Sequence, residues 1–201
     1  MKSNYCLFLT LLITLNCFSQ EQATDINNIT KITFLNPGIS YETRIAKFQS
    51  VFLHAFMNTL AQIGFSDALG NTSSIFFDPS LAVHYRYYYN AKKRASKEKQ
   101  TENNNLNYLS FITEVVHSKM RISSDHIMEE NKRPITKAGI AWGIQRNYKS
   151  HFSLDFHVGL GYLFTKATTY DFYTGNKKNI SVAQPTTLVQ INLGFWLNKR
   201  K

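Results

Sequence analysis

The stretch Phe152-Ser153-Leu154-Asp155-Phe156-His157-Val158-Gly159-Leu160-Gly161-Tyr162 decides the fold. Successive side chains of a strand point to opposite faces. This segment therefore sets Phe152, Leu154, Phe156, Val158, Leu160 and Tyr162 on one face, and Ser153, Asp155, His157, Gly159 and Gly161 on the other. No helical period fits it.

The same alternation recurs in both directions along the chain. Upstream, Thr136, Ala138, Ile140, Trp142 and Ile144 oppose Lys137, Gly139, Ala141, Gly143 and Gln145, and residues 146–150 make a short turn between the two strands. Leu109, Phe111, Thr113 and Val115 oppose Ser110, Ile112 and Glu114. Leu81, Val83, Tyr85, Tyr87 and Tyr89 oppose Ser80, Ala82, His84, Arg86 and Tyr88; the clustered tyrosines fit either an aromatic girdle or ordinary strand propensity. Residues 50–64 are apolar on both faces, which leaves an amphipathic helix open, but the close flanking strands favour a strand. Ile39, Tyr41, Thr43 and Ile45 oppose Ser40, Glu42 and Arg44, after a first strand over 31–36 and a turn at Asn36-Pro37-Gly38. Downstream, Leu193, Phe195 and their neighbours oppose Gln190, Asn192 and Gly194.

That makes eight antiparallel strands. Segments 65–74, 116–134 and 165–185 are expected to be long polar loops, and the charged stretch 91–105, with Lys92, Lys93, Arg94, Lys97 and Lys99, a mobile linker. With both termini at one end, the long loops gather at the other. This is the layout of an up-and-down barrel with short turns on one side.

The N-terminus adds a location. Met1-Lys2 precedes an apolar run over 7–15, and Cys17-Phe18-Ser19 supplies small residues at a cleavage site, so 1–19 is expected to be a secretory signal peptide. Both cysteines, Cys6 and Cys17, leave with it. Residues 20–30 are expected to be a flexible lead-in, 31–197 the barrel and 198–201 a basic tail. A net charge of +10 would ordinarily suggest nucleic acid, but an exported chain makes no such partner expected.

The glycines choose between the two ways of closing such a barrel. In a soluble lipocalin-like barrel Gly139, Gly143, Gly159, Gly161 and Gly194 would face water. In a membrane barrel they line a narrow lumen where small residues make room for long polar ones. The expected fold class is thus all-β, an eight-stranded antiparallel transmembrane barrel. Leu81, Val83, Tyr85, Tyr87, Ile140, Trp142, Leu154, Phe156, Val158, Leu160, Leu193 and Phe195 would face lipid, and Glu42, Arg44, His84, Arg86, Glu114, Lys137, Asp155, His157 and Gln190 would form a polar lumen cluster with Gln145 and Asn192.

Segments 31–42, 85–90, 107–109, 152–155 and 159–162 together resemble the small eight-stranded outer-membrane barrels of Gram-negative bacteria, in particular an uncharacterised OmpA-like group. The resemblance implies that fold and place, contact with outer-membrane lipid and the barrel-assembly machinery, and no known enzymatic role. It departs from the pattern at the C-terminus: many such barrels end on an aromatic residue that the assembly machinery reads, whereas here Leu197 is followed by Asn198-Lys199-Arg200-Lys201, an imperfect insertion signal.

Mixed charges in a narrow barrel are expected to pair with one another. The competing reading makes Ser153, Asp155 and His157 a lipid-modifying site, with His84 supplied from another strand, because neighbours two apart on one strand lie about 7 Å apart, too far for a nucleophile–base hydrogen bond. No metal spacing, phosphate loop or nucleophile elbow is present in the sequence, and no cofactor is expected. The expectation is a structural or binding protein of the envelope with a filled lumen, not an enzyme; a soluble ligand-binding barrel is the other alternative.

Overall fold

The computed structural model describes residues 25–64, 72–119, 131–170, 174 and 176–198. They form β1 (Ile29–Thr33), β2 (Gly38–Ala46), β3 (Gln49–Gly64), β4 (Thr72–Tyr87), α1 (Ala91–Ala95), a 3-10 turn (Glu102–Asn104), β5 (Asn107–Ser118), β6 (Arg133–Asn147), β7 (Phe152–Tyr170) and β8 (Lys177–Trp196). Every strand pairs antiparallel with the next, and β1 pairs with β8, so the sheet closes in a ring of eight up-and-down strands. The closing seam is short: Lys31, Ile32 and Thr33 face Trp196, Phe195 and Gly194. Flanking hydrogen bonds lengthen it, from Phe34 N to Leu193 O and from Leu197 N to Thr30 O, both 2.9 Å.

Segment 50–64 is strand. Its two apolar faces have different causes: Leu53 and Met57 lie on the outer face, whereas Phe52 and Phe56 flank the buried His54 inside the barrel. A strand buried or apolar on both sides loses the alternation that would identify it.

Several expected boundaries move. The strand expected at 31–36 is β1 at Ile29–Thr33, and the described part of the lead-in, 25–28, is packed: Ile26 is buried, and Asp25 accepts from Phe48 N at 2.9 Å. The loop expected over 165–185 is largely strand, because β7 runs to Tyr170 and β8 starts at Lys177. Thr165 pairs with Val182 and Lys166 with Ser181. A two-stranded ladder beyond the barrel mouth satisfies its backbone with water on both faces, so polar residues suit it and no apolar face marks it. β4 likewise begins at Thr72, within the loop expected over 65–74; the rest of that loop and most of 116–134 lie outside the described residues, as does segment 1–19.

The largest correction concerns the linker expected over 91–105. It folds across the end of the barrel where β1 begins and β8 finishes. Ala91, Asn104, Asn105 and Leu106 are all buried, and Ile26, Phe48, Tyr88, Ala91, Leu106 and Tyr108 form one apolar cluster there. Paired amides pin the segment: Asn105 Nδ2 donates to Asn147 O at 2.7 Å, Asn147 N donates to Asn105 Oδ1 at 3.0 Å, and Asn147 Nδ2 donates to Asn103 O at 2.6 Å. Phe48, in the two-residue β2–β3 turn, takes a positive φ of 58° to reach this cluster. Such a backbone costs roughly 1–3 kcal/mol for a non-glycine residue, a cost that burying the ring offsets.

The glycines face inward as expected, for two different reasons. A Cβ on Gly143 would sit 2.2 Å from Tyr108 Cζ, so this glycine leaves space for a lumen side chain. A Cβ on Gly139, Gly159 or Gly194 would instead strike the backbone of the adjacent strand. Gly143→Ala is therefore expected to displace the Tyr108 ring and to destabilise the barrel by about 1–3 kcal/mol, the usual cost of overpacking, read as a lower urea midpoint in detergent with an unchanged slope.

Candidate functional site

The densest chemistry lies inside the barrel, directly beneath the folded segment. Inward positions of seven strands converge there: Lys31 on β1, Glu42 on β2, Phe52 on β3, Arg86 on β4, Tyr108 on β5, Gln145 on β6 and Asp155 on β7. All are at most 3% exposed.

Arg86 is the centre. Its guanidinium carbon lies 3.8 Å from the centroid of Phe52 and 4.3 Å from that of Tyr108, so two aromatic faces cover it. In the plane it donates from Nη1 to Asp155 Oδ2 at 2.8 Å and to Gln145 Oε1 at 2.7 Å, and Nη2 lies 3.3 Å from His84 Nδ1. The other oxygen of Asp155 accepts from Tyr108 Oη at 2.7 Å, and Lys31 Nζ stands 3.7 Å from Asp155 Oδ2.

Glu42 is satisfied differently, by neutral donors. Oε1 accepts from Ser50 Oγ at 2.6 Å and from Tyr88 Oη; Oε2 accepts from Gln145 Nε2 at 3.0 Å and Asn104 Nδ2 at 3.1 Å. Asn104 comes from the capping segment, so the cap is hydrogen-bonded directly into the lumen. Two cations and two anions share the site, which is neutral overall.

Above this layer sit rings. His84 and His157 meet edge to face at 5.3 Å, Phe52 lies 5.1 Å from His84, and His54 stacks on Phe56 at 4.2 Å. Ile112, Ala141 and Leu188 follow as a small apolar cluster. Nearer the far end a second polar group appears: Lys137 Nζ lies 3.2 Å from Glu114 Oε1, which also accepts from Asn58 Nδ2 at 3.3 Å.

The structure thus divides the expected lumen cluster. Glu42, His84, Arg86, Asp155 and His157 come together near the capped end, whereas Glu114 and Lys137 lie toward the other and, with Gln190, the cross-strand partner of His157, line a cleft of about 420 Å³. Arg44 is in neither group. It has the inward parity, but it lies at the end of β2, where the ladder bulges between Arg44 and Ala46, and it extends past the rim to pair with Asp25 at about half exposure. The residues expected on the lipid side all occupy the outer face; Ile140 is 67% and Leu160 73% exposed.

Ser153, Asp155 and His157 are not assembled as a hydrolytic set. Ser153 Oγ donates to Asn147 Oδ1 at 2.6 Å, and both oxygens of Asp155 are held by Arg86 and Tyr108. Among the described residues no group of three or more His, Cys, Asp or Glu side chains is arranged to hold a metal ion.

Sequence reasoning passed over Lys31, Tyr88, Tyr108 and Asn104. The tyrosines carry a usable signal, since Tyr88 shares the parity of Arg86, and Tyr108 that of Ser110. Asn104 carries none, because its segment has no period.

A closed eight-stranded barrel with a neutral, fully buried charge cluster and a capped end is the class that this geometry defines. The chain belongs to a family described as "Protein of unknown function (DUF3575)", whose model matches residues 5–197. Comparison with curated proteins and with solved structures gives no match.

Breaking a buried ion pair by removing one partner costs about 3–5 kcal/mol, whereas removing both is far milder. Asp155→Asn and Arg86→Met are each expected to destabilise the barrel by an amount of that order, and the double variant by less than the sum. Urea unfolding of the two single variants and the double variant in detergent measures the coupling; additive losses would show that the two groups do not act as a pair.

Proposed function

We propose that this chain is an outer-membrane β-barrel protein with a structural or binding role in the cell envelope and without a wide pore. The observation that carries the reading is the inversion of the two faces. Inside are Lys31, Glu42, Arg86 and Asp155, at most 3% exposed; outside are Ile39, Leu81, Phe111, Ile140, Leu160, Val189 and Phe195, each at least half exposed. An apolar surface that surrounds a whole barrel far exceeds the few hundred Å² of contiguous patch that soluble monomers tolerate. In a bilayer the same surface is the solvated one, and ring closure pairs the ladders except above the short β1–β2 turn.

The dimensions agree. On β7 the outward residues are apolar from Phe152 to Phe164 and turn polar at Lys166, about the length of a tilted membrane strand. Aromatic residues stand at both limits, with Tyr87, Tyr89 and Tyr148 near the capped end and Phe77, Tyr162 and Phe164 near the other. Trp142 Nε1 donates to Tyr89 Oη at 2.7 Å, which gives the indole a partner on the outer face.

The rest of the reading follows. Segment 1–19 directs export and is removed, the barrel-assembly machinery inserts the remainder, and the partners are outer-membrane lipid and an envelope component still to be identified. The cap and the Arg86 cluster leave no wide passage along the axis, so the reading is not that of a porin.

Fractionation of cells expressing the full chain is the direct test: recovery in the membrane pellet after a urea wash is expected, and recovery in the soluble fraction without detergent would overturn the reading. A second measurement probes depth. Leu160→Arg is expected to cost about 2–4 kcal/mol of stability in lipid, and Tyr170→Arg, beyond the apolar belt, about 0–1 kcal/mol.

A further inference from the structure

The barrel wall is incomplete on one side. β1 ends at Thr33, opposite Gly194 of β8, and β2 begins at Gly38, opposite Phe56 of β3. Beyond those pairs β3 continues to Gly64 and β8 extends back to Lys177, yet no ladder joins β3 to β8 among the described residues. The short β1–β2 turn forms the sill of this notch. Asn36, at a φ of 55°, spans it: Nδ2 donates to Ile191 O at 3.2 Å, and Oδ1 accepts from Thr59 N at 3.3 Å.

The 420 Å³ cleft opens at this notch and is lined from both sides of the wall. Leu35, Val189 and Ile191 form its apolar lip, and Asn58, Glu114, Lys137 and Gln190 its polar interior. Val189 and Ile191 pair across β7 with Val158 and Phe156, in the middle of the apolar belt. The notch therefore faces the hydrocarbon of a bilayer, where an uncovered strand edge is tolerated only beside a polar cavity.

The polar end defines what fits. The charges of Glu114 and Lys137 offset each other, so the interior has no net demand for an ion. Gln190 Nε2 is buried without a hydrogen-bond partner, and such a donor calls for an acceptor oxygen. We propose that the notch between β3 and β8 is a lateral binding site for a single-chain amphiphile with an uncharged, oxygen-bearing head, such as a monoacylglycerol. Its head oxygen accepts from Gln190 Nε2 once this half-buried side chain turns the donor into the cleft, and its chain passes over Leu35, Val189 and Ile191 into the bilayer. A volume of this size takes such a head and the first part of the chain. The inference rests on the membrane reading above.

Photolabelling tests it. The folded chain is placed in lipid nanodiscs with a trace of monoacylglycerol carrying a diazirine next to the head, irradiated, and mapped by mass spectrometry. Adducts are expected to concentrate on residues 35–36 and 188–192. Gln190→Leu, which removes one hydrogen bond, is expected to lower their yield about five- to tenfold. Val189→Trp, on the lip and clear of the lumen, is expected to lower it as well by filling the notch. Labelling of Leu109 and Phe111 as strongly as β8, or yields that neither variant changes, would overturn the site while leaving the membrane reading intact. Stronger labelling by an equivalent fatty acid would overturn the assignment of an uncharged head. A chain that never enters the nanodisc would overturn the membrane reading and the site with it.

Discussion

The guanidinium of Arg86 is the constraint on which the interior depends. A charge removed from water costs several kcal/mol even after relaxation, and the cost is met only if its partners are placed well. Here the partners come from four other strands, β3, β5, β6 and β7. Phe52 and Tyr108 cover its faces, Asp155 and Gln145 take its in-plane donors, and Gly143 leaves the space that Tyr108 needs. A planar fork between two rings is geometry that lysine cannot reproduce. The second cation, Lys31, stands at ion-pair rather than hydrogen-bond distance, and Glu42 relies on neutral donors. Position around the ring thus sets how each charge is held.

Seen along the axis, the lumen is layered. The apolar cap comes first, then the charge cluster, the phenylalanine and histidine rings, a small aliphatic cluster, and last the Glu114–Lys137 pair beside the cleft. β5 and β6 alone contribute to the charge cluster through Tyr108 and Gln145, to the aliphatic cluster through Ile112 and Ala141, and to the last pair through Glu114 and Lys137. The result is a cup, sealed at the end where β1 begins and β8 finishes.

Much of this was legible in the sequence, and the limits have physical causes. Period-two alternation marked the strands and the two faces correctly wherever one face is apolar and the other polar, as in β7 from Phe152 to Tyr162. It located Arg86, Asp155, His84 and His157 inside without showing that they meet, because contact across a ring depends on stagger between strands that are far apart in the chain. It lost the outer parts of β7 and β8, where both faces are wet and polar strand resembles loop. It misjudged segment 91–105 altogether. That stretch is held by amide pairs such as Asn105 with Asn147, 42 residues apart, and no local pattern announces such bonds. Arg44 had the right parity and the wrong height.

The cap has one more consequence, which concerns the field outside the molecule. Because the charges of the buried cluster cancel, the exposed charges set that field. The capped end carries Lys47, Lys92, Lys93, Lys97, Lys99 and Lys149 against Glu98 and Glu102, since Asp25 is paired with Arg44. Held on a folded surface rather than spread along a mobile tether, these lysines form a basic collar around a closed base. Its reach is set by ionic strength, to about 8–10 Å under physiological conditions. Any acidic polymer or anionic surface on that side meets a fixed pattern of charge, and its association should weaken as salt rises.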